Sequence, residues 1–282
     1  ATTQIGLSYR VPLYELGANL DFLISDSEVN SGETGSNNEV TGKGSVLGFT
    51  YSKPMLTDTN FNHEWSAGGQ FKKFDNETVF GTFPVDSFPL VLGYSFTYNT
   101  KSAAFAGGLD YAMNMGIGGS NSDEDYSAST FGRVDSNSWS ALRYNLSYDQ
   151  VVAKNWLIHA GFTGQSTSDL LISGEQFGVG GSRSLRGFEE RSVSGDQGYQ
   201  LALELWTPSY AGIRYLVFVD QASVELDETY DLSSAGAGLR WSWKQQLSIS
   251  VDLGVIGKGG GPNPAINQDG DAKAHFNLMY RF

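Results

Sequence analysis

Residues 213–220 read IRYLVFVD. Side chains two apart on an extended chain share a face, so Ile213, Tyr215, Val217 and Val219 form an apolar row while Phe218 and Asp220 point the other way. The preceding segment has the same grammar, with Leu201, Leu203 and Leu205 on one face and Glu204 on the other. Working outward, the alternation recurs at Ile5/Leu7/Tyr9/Val11, Leu90/Leu92/Tyr94/Phe96/Tyr98, Leu142/Tyr144/Leu146/Tyr148, Trp156/Ile158/Ala160/Phe162 and Ile249/Val251/Leu253. It ends with Phe276, Leu278, Tyr280 and Phe282. The faces between are small or polar, and no helical period of useful length is evident.

Ten-residue segments, apolar on one face and polar on the other, with aromatics near their ends, predict a transmembrane antiparallel β-barrel. A strand facing lipid must hydrogen-bond all its backbone groups to neighbours, which only a closed sheet achieves. A soluble sandwich would also alternate, but its polar faces would carry more charge than the 17% charged residues present. The 282 residues include 35 glycines and 37 aromatics, counted as 6 Trp + 14 Tyr + 17 Phe, yet hydrophobic residues make up only 40%. No run approaches the roughly 20 apolar residues of a membrane helix. The formal charge of −13 disfavours nucleic acid, which needs clustered Lys and Arg. No cysteine is present, so disulfides and thiolate metal sites do not arise.

Thirteen strands are predicted, joined alternately by short turns (13–16, 56–60, 100–102, 152–155, 208–212, 244–246) and long polar connections (29–41, 75–88, 118–137, 173–198, 226–233, 258–271). Short turns belong on the periplasmic side and long loops outside. An odd count puts the first residue at the cell surface if the C-terminus is periplasmic. The expectation is therefore an odd number of further strands before residue 1, or one misread strand.

The connection 173–198 stands apart. It contains EQFGVGGSRSLRGFEERSVSGDQG, with Gly180 and Gly181 placed to let it fold back and two arginines, Arg183 and Arg186, near its tip. An arginine folded into a barrel needs a carboxylate partner. By strand parity Asp220 and Glu204 both point inward. The alternative is a solvated loop cation.

This run resembles the signature of the two-partner secretion transporters (TpsB proteins) of the BamA-like outer-membrane superfamily. Arg186, Gly187 and Phe188 match the family's Arg-Gly-Phe/Tyr motif, and Phe218-Val219-Asp220 matches its Phe-x-Asp motif. The resemblance implies an all-β barrel of the sixteen-stranded BamA/TpsB type with about thirteen strands in this chain. Residues 1–282 would be the C-terminal part of the barrel, lacking three strands and the periplasmic polypeptide-binding (POTRA) domains. It implies that 173–198 folds into the lumen with Arg186 latched to the wall, Asp220 being the favoured partner and Glu204 a second. The end of the chain, with Phe276, Leu278, Tyr280 and terminal Phe282 on one face, resembles the recognition signal presented to the barrel assembly machinery.

Other polar residues suggest little chemistry. His63, His159 and His275 lie on separate strands without metal-ligand spacing and read as lone imidazoles. Asp123, Glu124, Asp125 and Asp135 could meet Ca²⁺, but a solvated acidic loop is the better reading. Gly180–Ser184 lacks the context of a nucleophile elbow. The expected protein is therefore not an enzyme and needs no cofactor or metal. It would be a bacterial outer-membrane pore passing an unfolded exoprotein client to the surface, in contact with outer-membrane lipid and lipopolysaccharide. A BamA-like assembly or insertion factor and a passive porin are the alternatives.

Overall fold

The computed structural model describes residues 2–34, 38–55, 58–78, 81–244, 246–262 and 266–281. The strands in chain order are β1 (Thr2–Leu13), β2 (Ala18–Thr34), β3 (Asn38–Pro54), β4 (Phe61–Thr78), β5 (Gly81–Ser87), β6 (Pro89–Asn99), β7 (Ala103–Asn114), β8 (Ser140–Val151) and β9 (Leu157–Ser166). They continue with β10 (Phe177–Val179), β11 (Val193–Gly195), β12 (Gln197–Trp206), β13 (Ile213–Glu225), β14 (Thr229–Trp243), β15 (Leu247–Lys258) and β16 (Ala272–Tyr280). Among the described residues one α-helix, α1 (Asp123–Ser129), lies between β7 and β8, and single 3-10 turns stand at Tyr14–Leu16 and Ala153–Asn155.

Thirteen strands follow a single hydrogen-bonded order, β1-β2-β3-β4-β6-β7-β8-β9-β12-β13-β14-β15-β16. The other three are short or peripheral: β5 folds back on β4, and β10 pairs with β11 inside the connection 173–198. Three details depart from the sequence reading. Most of the expected loop 29–41 is strand, since β2 and β3 stay paired out to Thr34 and Asn38. The expected loop 75–88 holds β5. The acidic run Asp123-Glu124-Asp125 is the first turn of α1, whose amides favour negative charge. Ser122 and Asp125 cap it reciprocally, the Ser122 hydroxyl accepting from Asp125 N–H and the Asp125 carboxylate from Ser122 N–H. Seven residues are too few for a periodic signal. Phe282 lies outside the described residues.

The chain divides into two compact units. The first comprises Ala1–Phe96, Leu109–Arg143 and Thr167–Glu175. Its core gathers Val85 of β5, Tyr126 of α1, Val134 and Trp139 of the connection from α1 to β8, and Leu171 and Ile172 of the connection after β9. The Tyr126 hydroxyl accepts from Asn114 Nδ2 (3.1 Å) and Trp139 Nε1 (3.3 Å), so this polar atom is satisfied inside an apolar cluster.

The second unit comprises Thr97–Gly108, Tyr144–Ser166 and Gln176–Phe282. Its strands keep strict parity. On β13, Tyr215, Val217 and Val219 are 54–57% exposed, while Leu216, Phe218, Asp220, Ala222 and Val224 are at most 3% exposed. Exposed apolar side chains also line β12 (Leu203, Leu205), β15 (Leu253, Val255) and β16 (Phe276, Leu278, Tyr280). A water-soluble sheet would not leave so many large apolar groups uncovered along one face. Lipid is the medium that accommodates them.

Candidate functional site: the motif loop and its dock

The dock is written across three neighbouring strands. Register places Glu204 of β12 opposite Phe218 of β13, and Asp220 of β13 opposite Ser234 of β14, so Glu204, Phe218, Asp220 and Ser234 share the inner face. Gly236 stands opposite Phe218, and a Cβ there would collide with the Phe218 ring. The missing side chain lets that ring lie flat on the wall.

Arg186 reaches this surface from the loop. Its Nε donates to Asp220 Oδ2 (2.8 Å), its Nη2 to Asp220 Oδ1 (2.7 Å), and its backbone N–H to Oδ2 (3.1 Å). The remaining edge of the guanidinium meets Glu204 Oε1 at 2.6 Å, and its face lies 3.5 Å from the Phe218 ring centroid. Arg186 is 4% exposed and Asp220 is fully buried. A two-pronged pair stacked on an aromatic suits the flat fork of arginine and not the point charge of lysine.

The residues beside Arg186 complete the seat. Phe188 is fully buried among Leu185, Val193, Ala222, Val224, Leu232 and Ile256. Gly187, at φ +95°, lies so close to β15 that an added Cβ would stand 3.1 Å from the Gly254 carbonyl carbon. A Cβ on Gly254 would stand 2.6 Å from Gly187 N, so here two backbones touch. Gly187 N–H donates to Nε2 of His275 on β16 at 3.2 Å. Gly180 and Gly181 form the turn after β10, where added side chains would strike Glu189 and Glu190. The fold-back is tied by Ser182 N–H to Glu190 (2.9 Å) and by Ser184 Oγ to Gln200 (2.6 Å).

A cavity of about 380 Å³ opens beside the seat, lined by residues including Asn145, His159, Arg183, Gln200 and Arg240. Arg183 is exposed there. Arg240 is engaged by Asp252 through two bonds of 2.7 and 2.8 Å.

The loop's first residues belong to the other unit. Glu175, 2% exposed, accepts from Lys72 Nζ (2.9 Å), Arg143 Nη2 (2.8 Å) and Ser87 Oγ (2.5 Å). Burial alone would raise its carboxyl, but Lys72 and Arg143, with the Ser87 hydroxyl, hold it below the ordinary carboxylate value.

Sequence reasoning missed Glu175, Gly254 and the contact of His275. Each acts on a residue distant in the chain, and strand parity reveals a face, not a partner. None of the histidines is a lone imidazole: His63 meets Tyr94, His159 meets Asp149, and His275 meets the loop. Two of the acidic residues weighed for Ca²⁺ serve the loop itself, since Asp123 accepts from Asn137 N–H and Asp125 caps α1.

An antiparallel sheet with an apolar exposed face and an arginine-tipped loop seated on its polar face has the architecture of an outer-membrane β-barrel. The chain belongs to the family described as haemolysin secretion/activation protein ShlB/FhaC/HecB, whose profile matches residues 2–241. Members are TpsB proteins of the bacterial outer membrane. Among solved structures, CdiB from Acinetobacter baumannii superposes with a TM-score of 0.76 at 17% identity, covering 99% of this chain and 50% of that one. CdiB from Escherichia coli gives 0.77 at 17% identity, covering 99% and 53%. BamA from Haemophilus ducreyi lacking POTRA domains 1–3 gives 0.66 at 16%, covering 99% and 62%. The chain thus spans about half the length of the two CdiB chains. No curated protein sequence matches it.

Proposed function

We propose that the chain forms the membrane pore of a two-partner secretion translocator, which passes an unfolded exoprotein to the cell surface, and that the loop 173–198 is its gate. The observation that carries this reading is Arg186, buried and bonded to both Asp220 and Glu204 while stacked on Phe218. No bond is broken in such a cycle. The loop occupies the path, and the Arg–carboxylate latch fixes where it sits. The row Phe276, Leu278, Tyr280 and Phe282 serves as the signal to the assembly machinery, and the apolar outer face meets lipid and lipopolysaccharide.

Removing one partner from a desolvated pair leaves the other charge uncompensated, at a cost of about 3–5 kcal/mol. Arg186→Ala is therefore expected to cut secretion of the client exoprotein at least tenfold while the barrel still folds, read as heat-dependent gel migration. Normal secretion by that variant would defeat the gate. The BamA likeness favours a second reading, an assembly or insertion factor. It predicts that depleting the protein lowers the levels of other outer-membrane barrels and spares exoprotein export.

A further inference from the structure

We propose that His275 is a positioning residue for the motif loop: its neutral imidazole receives the loop tip, and protonation of the ring unseats it. The inference rests on the reading that this loop is held on the wall by Arg186, and it adds a second, titratable fastening on a different strand.

The argument begins with hydrogen-bond direction. Gly187 N–H can only donate, so Nε2 of His275, 3.2 Å away, must be the unprotonated acceptor nitrogen. The contact is buried. It lies where Gly187 and Gly254 touch backbone to backbone, so neither chain can shift to find another arrangement without parting. A protonated Nε2 would present a donor to a donor. Imidazole is the side chain whose charge ordinarily changes between about pH 5 and 8, a range the outer face of a cell encounters.

Charges around the ring come from every neighbouring element. Lys273 precedes it on β16, Asp252 faces it across the ladder from β15, and Glu189 and Glu190 approach from the loop. Arg183 of the loop and Arg240 of β14 line the same recess, and Arg186 adjoins Gly187. The carboxylates could welcome an imidazolium, but each has a partner: Asp252 has Arg240, Glu189 has Lys273, and Glu190 accepts from Ser182 N–H. Those ion pairs neutralise cation and carboxylate alike, so what protonation changes is the hydrogen bond itself: it removes the acceptor for Gly187 and sets donor against donor. That pushes the tip away from β16.

The absence of native cysteine allows a direct test. Ser234 lies beside Asp220 on the inner face, 2% exposed, and its Oγ has no hydrogen-bond partner among the described residues. Ser234→Cys therefore places a near-isosteric thiol at the dock and loses no bond. The full chain carrying it is reconstituted in phospholipid vesicles and labelled with 4,4′-dithiodipyridine at about pH 7.5 and pH 5.5. Each rate is divided by that of Ser182→Cys, an exposed loop position, which cancels the pH dependence of the reagent.

The normalised rate should rise about fivefold at the lower pH, as loss of one ordinary hydrogen bond would produce. In a His275→Gln background, whose amide oxygen accepts at either pH, it should stay low. With His275→Ala it should be high at both. An unchanged wild-type ratio, or a His275→Gln chain that follows the wild type, overturns the proposal. Arg186→Ala separates the two readings: it should label fast at both pH values, and protection equal to wild type would defeat the latch and leave the His275 comparison standing.

Discussion

At the scale of single residues, the seat of the loop depends on what is absent as much as on what is charged. Arg186 can meet Asp220 only because Gly187 and Gly254 let two backbones come into contact. Gly254→Ala would put a methyl group 2.6–2.7 Å from Gly187 N and Arg186 C, atoms that cannot swing aside. Overpacking of this kind costs about 1–3 kcal/mol. The expected result is a folded barrel whose Ser234→Cys reporter labels several-fold faster than in the parent, and equal labelling would show that the close approach is dispensable. Parity along IRYLVFVD put Asp220 on the inner face, and parity along the preceding Leu201–Leu205 segment did the same for Glu204. Nothing in the sequence pattern pointed to Gly254 or His275, because a small or polar residue on an inner face looks the same whether it touches a loop or water.

At the scale of elements, the connection 173–198 is tied at its root as well as its tip. Glu175 joins the loop's beginning to β4 through Lys72, to β5 through Ser87 and to β8 through Arg143. Its carboxyl is held below the ordinary value of about 4.3, so the stability it contributes is fully present above that value and is lost as pH falls through the lower folded-state value. Glu175→Gln leaves Lys72 and Arg143 without their buried counter-charge and is expected to destabilise the first unit by about 3 kcal/mol near neutral pH. Thermal unfolding in detergent, followed by circular dichroism, should show the gap between wild type and variant narrowing below about pH 4. A constant gap would mean that the charge of Glu175 is not what matters. The strands themselves were legible because alternation is a local property. The helix α1 was not, since seven residues around a cap carry too little period, and β10 and β11 are three residues each.

At the scale of the whole molecule, the exposed rows on β12, β13, β15 and β16 make the outer face a lipid-matched surface. Val219 stands near the middle of β13 and is 54% exposed. Val219→Arg is expected to weaken folding into vesicles by about 2–4 kcal/mol, the cost of a cation at mid-bilayer depth on a barrel's lipid face. Urea titration of the reconstituted chain measures it, and an unaffected midpoint would mean that this face does not meet lipid. The two fastenings of the loop also differ in how far apart the chain must search to form them. Arg186 finds Asp220 across 34 positions, whereas Gly187 finds His275 across 88. Closing the larger span costs only ~0.8 kcal/mol more, so the two fastenings differ less in search cost than in the strand each one holds. The tip of the loop reaches from β13 to β16, four consecutive strands, and braces that stretch of wall from within as a cross-tie braces a hull.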